Sequence, residues 1–494
     1  MTVGTVERAA WAVPRLPGDP DGFCLTHGEE FESLDPTDGS VVAVLRSSTR
    51  DDVDVAVQRA QHALRTSAWR NSGPLRARVL LRFAAGVRRD VDRLAELLTR
   101  EQGKLLREAR TEVLQTAEMV EFYAGLARAV YGRSVALGDN AHGVVLREPI
   151  GVVGVITPWN WPLVLLVRSL APALAAGNAV IAKPASLTPA ITVAALTLLA
   201  EDPDLPPGIL SLILGPGAVV GDALVGHPEV GMIAFTGETS TGISVMKRAA
   251  NDLRKVSLEL GGKSPNIVFA DANLDKALEG ALNAAFATGG QICTAGSRLL
   301  LDDAIHDRFL DALAARVRAI RLGDPLRPDT MMAPLVSPNQ QRTVREYADL
   351  GRQQGTLVAE GSLPQDPLLA GGCFVAPVVF RDLPSDSRVL REEIFGPVLA
   401  VQRFADEDEA IMLAADTQFG LAAGIWTSNL DRAWRVGRAV EAGTVWINTY
   451  HHFYSETEVG GFRQSGVGRQ QGLDGLIEFT ETKHLNFDHS PTLW

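Results

Sequence analysis

"GVVGVITPWNWPLVLLVRSLAPALAAGNAVIAKP", residues 151–184, decides how this chain is read. The stretch is long and apolar, but Pro158, Asn160, Pro162, Arg168 and Pro172 interrupt it. A membrane span needs about 20 predominantly apolar residues, and a proline inside such a run kinks or ends a helix. The pattern reads as buried strand, loop, helix and strand. Pro162 suits the first turn of that helix, where its missing N–H costs nothing, and Gly177 suits its end. Outward from this stretch, "LSLILGP" (210–216) and "MIAFTG" (232–237) are further short apolar runs closed by turn residues. Their spacing suits βαβ units with buried parallel strands, an α/β fold. Residues 52–130 read as mostly helical. "RFLDALAARVRAI" sets Phe309, Leu313, Val317 and Ile320 on one helical face. A domain boundary is expected near "KVSLELGGKSPNIVFAD" (255–271), a β-rich crossing with a glycine pair.

Composition narrows the function. At 494 residues, 46% of them hydrophobic, the chain can bury a large core, and its length favours two or more domains. Cys24, Cys293 and Cys373 form no CxxC pair, which argues against a disulfide scaffold or zinc site and for a reducing, cytoplasmic compartment. The nine histidines include no HExxH, so no metal is expected. A net charge of −12 argues against a nucleic-acid partner. "MTVGTVERAAWAVPR" (1–15) has no apolar core of a signal peptide, so neither export nor a membrane partner is expected.

Four local patterns carry chemistry, each with a plainer alternative. "FTGETSTG" (235–242) ends a strand and opens a helix, with Gly237 and Gly242 five apart. Glycine lets backbone approach phosphate at a helix N-terminus; a bare strand-to-helix turn reads the same way. Lys183 in "AKPAS" stands just past a strand end, where α/β sheets bind ligands, or is a surface lysine. Glu259 in "LELGG" is a carboxylate in apolar surroundings. Burial would raise its pKa and suit a general base; a salt-bridged structural glutamate is the other reading. Cys293 in "TGGQICTAGSR" (288–298) is a nucleophile given room by small neighbours, or a buried inert thiol.

Together these segments resemble the aldehyde dehydrogenase superfamily, from about residue 30 to 485. "PWNWP" (158–162) resembles the loop bearing the oxyanion asparagine, here Asn160. "LELGGKSPNIVFADANLD" (258–275) resembles the general-base segment with Glu259, and "GGQICTAGSR" (289–298) the nucleophile segment with Cys293. The separation, 293 − 259 = 34, is usual for the family. "EEIFGPV" (392–398) resembles the segment whose Glu393 and Phe395 hold the nicotinamide end, and "GGFRQSGVGR" (460–469) the late glycine-rich signature.

The resemblance implies a hydrolytic enzyme that oxidises a small-molecule aldehyde to its acid with NAD or NADP. Cys293 would form a thiohemiacetal and then a thioester, and Glu259 would activate the water that releases the acid. The cofactor would be held by Ile156, Thr157, Trp159, Lys183, Ser186, Gly217, Gly221, Phe235, Thr236, Gly237, Gly242, Leu260, Glu393 and Phe395. The substrate tunnel would involve Gln115, Leu165, Arg168, Ile292, Thr294, Phe453 and Val459. The implied architecture is a Rossmann-like cofactor domain (1–133 and 149–258), an α/β catalytic domain (259–450), and a β-arm with the C-terminal segment (134–148 and 451–494). The arm implies a homodimer or homotetramer. A CoA-acylating relative, a non-catalytic binding protein on the same scaffold and a redox-sensing thiol protein are the alternatives. Glu259 argues against the first, the retained trio against the second, and the lack of a nearby resolving cysteine against the third.

Several positions depart from the family pattern. Glu238 follows Gly237 where serine is frequent. Arg463 and Gln470 replace lysine and glutamate, and Ser169 replaces a lysine. Ser186 stands where NAD-selective relatives often carry a glutamate that repels a 2′-phosphate. NADP is therefore expected to be accepted alongside NAD, unless the serine merely caps a helix. Arg168 occupies a position where relatives often place an aromatic. It either pairs with a substrate carboxylate or, as the apolar lining favours, turns to a protein carboxylate or snorkels to the tunnel mouth.

Overall fold

The computed structural model describes residues 22–490. The N-terminal stretch inspected for a leader lies outside them, as do residues 1–21 of the expected cofactor domain and 491–494 of the expected C-terminal segment.

The opening stretch folds as expected: strand Val152–Ile156, helix Pro162–Ala176, strand Ala179–Lys183. Pro162 sits in the first helical turn, and Gly177 closes the helix at φ 101°, a left-handed conformation that favours glycine. Pro172 lies inside the helix and has no N–H to offer the Arg168 carbonyl four residues earlier. These strands join Leu210–Ile213, Met232–Thr236 and Lys255–Glu259 in a parallel sheet. Numbered along the chain, their spatial order is 3-2-1-4-5. This is a doubly wound sheet whose order reverses beside Val152–Ile156, and ligands bind at the carboxyl ends there. Gly466–Val467 adds an antiparallel edge against Leu258 and Glu259.

The chain crosses from Glu259 to Pro265 into a second sheet. There Val378–Arg381, Val398–Phe404, Arg298–Asp302, Pro265–Val268, Ala422–Trp426 and Thr444–Ile447 run parallel, with Thr356–Glu360 antiparallel at one edge. The expected helical region resolves into Arg50–Thr66, Gly73–Arg89, Val91–Gln102 and Leu106–Leu126. The helix His306–Arg318 buries Phe309, Leu313 and Val317; it stops before Ile320, which still reaches the core. A third, antiparallel sheet joins Arg133–Ala136, Ala141–Pro149 and Thr480–Asp488. No helix of the described residues is long and apolar enough to cross a membrane.

Candidate active site

Three separate segments bring Asn160, Glu259 and Cys293 to one cavity of about 620 Å³. Asn160 lies in the turn after Val152–Ile156, Glu259 ends its strand, and Cys293 precedes the strand Arg298–Asp302. All seven residues expected at the tunnel, Gln115, Leu165, Arg168, Ile292, Thr294, Phe453 and Val459, line the same cavity. Val164, Leu165 and Arg168 do so at helical spacing from one face of Pro162–Ala176.

One helix holds both reactive loops. Before Cys293 the backbone takes three left-handed residues, Thr288 (φ 50°), Gly289 (φ 63°) and Gly290 (φ 74°). A Cβ on Gly290 would lie 2.4 Å from the Gly396 carbonyl oxygen, so no side chain fits there. Glu108 pins this turn by accepting the Thr288 N–H at 2.8 Å. One turn further along the helix Leu106–Leu126, Glu112 accepts the N–H groups of Leu163 (2.8 Å) and Val164 (3.3 Å), capping the helix that follows Asn160. Lys104, fully buried, donates to Glu112 and to the Asn160 carbonyl at 2.7 Å, and lies 4.0 Å over the Trp161 ring. The Asn160 amide donates to the Gln291 carbonyl at 3.0 Å. That uses one of its two N–H bonds and leaves the other for an oxyanion.

Burial pushes the Glu259 carboxyl up to about 7, opposed by the charges of Arg168 and Arg469. One of its oxygens has no hydrogen-bond partner. Burial pushes the Cys293 thiol up to about 11; Arg168 opposes this, while Glu393 and Glu259 reinforce it. The shift favours the protonated thiol near neutrality. The Cys293 N–H has no acceptor among the described residues.

The expectation that Arg168 meets a protein carboxylate or reaches solvent is corrected. Arg168 is 7% exposed, and among the described residues it forms no ion pair. Its Nε and Nη2 have no hydrogen-bond partner. The charge sits inside because the helix face that carries it turns into the cavity.

The carboxyl ends of the first sheet gather most of the residues expected to hold a dinucleotide. Ile156 pairs with Lys183, and the Thr157 N–H donates to the Lys183 carbonyl at 3.1 Å. The Thr157 hydroxyl is buried without a partner. Lys183, pushed down to about 8 by burial, donates among the described residues only to the Pro184 carbonyl at 3.0 Å, leaving donors for hydroxyl or phosphate. Gly221, in the turn Gly217–Gly221, lies against this lysine: a Cβ there would sit 3.6 Å from Lys183 Cε. Phe235 and Thr236 end their strand, and a Cβ on Gly237 would meet the Phe235 ring at 2.6 Å. Gly242 seats the helix Thr239–Ala250 on Leu260; a Cβ there would lie 2.3 Å from Leu260 Cδ2. Glu238 is exposed and accepts from the Ser240 hydroxyl at 2.7 Å. Glu393 accepts the Gly262 N–H at 3.1 Å, and Trp159 meets Phe395 edge to face at 5.3 Å. Ser186 donates to the Gly215 carbonyl at 2.9 Å.

Sequence reading missed Lys104, Glu108 and Glu112. Their signal was present: in "GKLLREARTEV" (103–113) a lysine stands just before a helix, and two glutamates stand one turn apart within it. It also missed Tyr450, whose hydroxyl donates to the Thr294 carbonyl at 3.0 Å, and His451, whose two ring nitrogens are buried and unpartnered. These lie on a loop with no periodicity to reveal them.

The Aldehyde dehydrogenase family model matches residues 23–485. A betaine aldehyde dehydrogenase of Bacillus subtilis (strain 168) is 41% identical over 467 residues, covering 94% of this chain and 95% of that one. The crystal structure of a Staphylococcus aureus betaine aldehyde dehydrogenase in complex with NAD+ superposes with a TM-score of 0.92 at 35% identity, covering 94% of this chain and 93% of that one. A putative aldehyde dehydrogenase from Burkholderia cenocepacia gives a TM-score of 0.91 at 39% identity, covering 94% and 96%. With this agreement in sequence and fold added to a cavity that gathers a thiol, a carboxyl and an amide, the chain belongs to the aldehyde dehydrogenase family and is an aldehyde dehydrogenase.

Proposed function

We propose that the enzyme oxidises a small aldehyde to its carboxylic acid by covalent catalysis at Cys293, with NAD or NADP as oxidant. The convergence of Cys293, Glu259 and Asn160 on one cavity carries this reading. Glu259 takes the thiol proton, and the Cys293 sulfur attacks the carbonyl carbon. The developing oxyanion is met by the Cys293 N–H and the second Asn160 amide hydrogen, each such donor contributing about 3 kcal/mol. When bound, the dinucleotide supplies the hydride acceptor that lets the thiohemiacetal become a thioester. Glu259 passes the first proton to solvent and, again ionised, removes a proton from water as the water attacks the thioester; the acid leaves as the Cys293 sulfur departs and takes up a proton. A carboxyl poised near 7 can serve both proton transfers.

Lys183, Thr157, Gly237, Glu393 and Phe395 would hold the dinucleotide. Ser186 brings no negative charge against a 2′-phosphate, which supports use of NADP beside NAD. The same reading has the enzyme act in the cytoplasm as a homodimer or homotetramer. Three free cysteines support the compartment. The exposed outer strand Thr480–Asp488 supports pairing between subunits. A panel of aldehydes assayed with NAD and with NADP, following the absorbance of the reduced cofactor, tests the proposal. Turnover of at least one aldehyde with both cofactors is expected; no reduction with any would refute it.

A further inference from the structure

We infer that the cavity takes a short aldehyde bearing a carboxylate at its far end, an ω-semialdehyde acid, and that Arg168 is the residue that grips the carboxylate. The inference rests on the reading of Cys293 as the nucleophile. A buried guanidinium edge with no hydrogen-bond partner carries it. A guanidinium is always ionised, and burying it without a partner is costly. Arg168 lines the catalytic cavity with Nε and Nη2 both unpartnered. These two groups form the edge that holds carboxylates two-fold elsewhere in this molecule. Arg82 grips Asp202 through them at 2.7 and 2.7 Å, and Arg435 grips Glu407 at 2.9 and 2.9 Å. Among the described residues no carboxylate occupies the same edge of Arg168, although the Glu259 carboxyl lies close enough to feel its charge.

The other carboxylates of the wall are engaged or elsewhere. Glu108 accepts from the Thr288 and Leu105 amides, and Glu279 pairs with Arg316. Glu118 is exposed on the helix beside Arg88, and Glu259 forms no ion pair with Arg168. The remaining wall cation, Arg107, donates to the Thr330 carbonyl at 2.8 Å. His451, lining the same cavity with both ring nitrogens unpartnered, adds a second polar group.

Position sets the length of the tail. Arg168 is six residues into its helix, roughly 9 Å along the axis from Pro162. Helical side chains lean toward their own N-terminus, here the Asn160 end. The guanidinium shares one cavity with Cys293, so a single small molecule can meet both, which favours a tail of a few carbons. A quaternary ammonium, the feature of betaine aldehyde named for two of the relatives, would instead face an unpaired positive charge.

The test compares wild type, Arg168→Leu and Arg168→Lys on succinic semialdehyde, butanal and betaine aldehyde, with succinate binding followed by calorimetry. The ratio of kcat/KM for the acid over butanal should fall at least tenfold in Arg168→Leu and less in Arg168→Lys. The ratio for betaine aldehyde over butanal should rise, and succinate should bind Arg168→Leu at least tenfold more weakly. Unchanged ratios with unchanged succinate binding, or a wild type that prefers betaine aldehyde, would overturn the assignment. A wild type that binds succinate through Arg168 yet oxidises none of the three aldehydes would uphold the anion site and refute the dehydrogenase mechanism.

Discussion

The side-chain amide of Asn160 donates to the main-chain carbonyl of Gln291 at 3.0 Å, so the proposed oxyanion donor is tied two residues upstream of the proposed nucleophile. Asn160→Ala removes both the tie and the donor. We expect kcat to fall by about 10²–10³, the usual loss for one oxyanion donor, with a smaller change in KM. Steady-state kinetics check this; a change confined to KM would contradict the role.

Lys104 and Glu112 form a buried ion pair that fixes the Asn160 backbone and caps the next helix. Glu112→Gln should cost about 3–5 kcal/mol in urea unfolding, because it leaves Lys104 charged and unbalanced. The double change Lys104→Met with Glu112→Leu should recover most of that stability. Its kcat should stay low, because the tether on the Asn160 carbonyl is gone. Recovery of kcat together with stability would show the pair to be structural only.

The Glu259 carboxyl is pushed up to about 7 by burial, and the proposed mechanism needs its base form. Activity should therefore rise with pH through a limb near 7. Arg168 favours the carboxylate, so Arg168→Leu should move this limb to higher pH. For stability the sign is opposite. Between the ordinary carboxylate range and about 7 the folded state binds the extra proton, so stability falls as pH rises through that window. Glu259→Gln should flatten part of the fall, the rest belonging to Glu101 and Glu393, which are raised in the same direction. Thermal unfolding across pH measures it.

Ser186→Glu should lower NADP efficiency at least tenfold relative to NAD, about 1.4 kcal/mol, by placing a carboxylate where a 2′-phosphate is proposed to lie. An unchanged NADP/NAD ratio would remove Ser186 from coenzyme choice.

Much of this was legible in the sequence for physical reasons. Strands buried on both faces, such as Ala179–Lys183, read as unbroken apolar runs. Pro162 and Gly177 punctuate their helix as local chemistry dictates. Cys293 and Glu259 stood out as reactive groups in small-sided or apolar surroundings, but only the family resemblance gave them their roles and picked out Asn160. Partnership was not legible. The environment of Arg168 depends on which side chains come near it from distant segments, and local sequence favoured a paired arginine that the fold does not provide. The links from Lys104 to Asn160 and from Glu108 to Thr288 span 56 and 180 residues. No periodicity encodes contacts of that range.

The central claim is that Cys293 forms the bond to substrate and Glu259 releases it. Rapid mixing of Glu259→Gln with aldehyde and excess cofactor tests it most directly. The predicted result is a burst of about one reduced cofactor per active site followed by slow turnover, and no burst in Cys293→Ala under the same conditions. Wild-type steady turnover in Glu259→Gln, or a burst in Cys293→Ala, would contradict it.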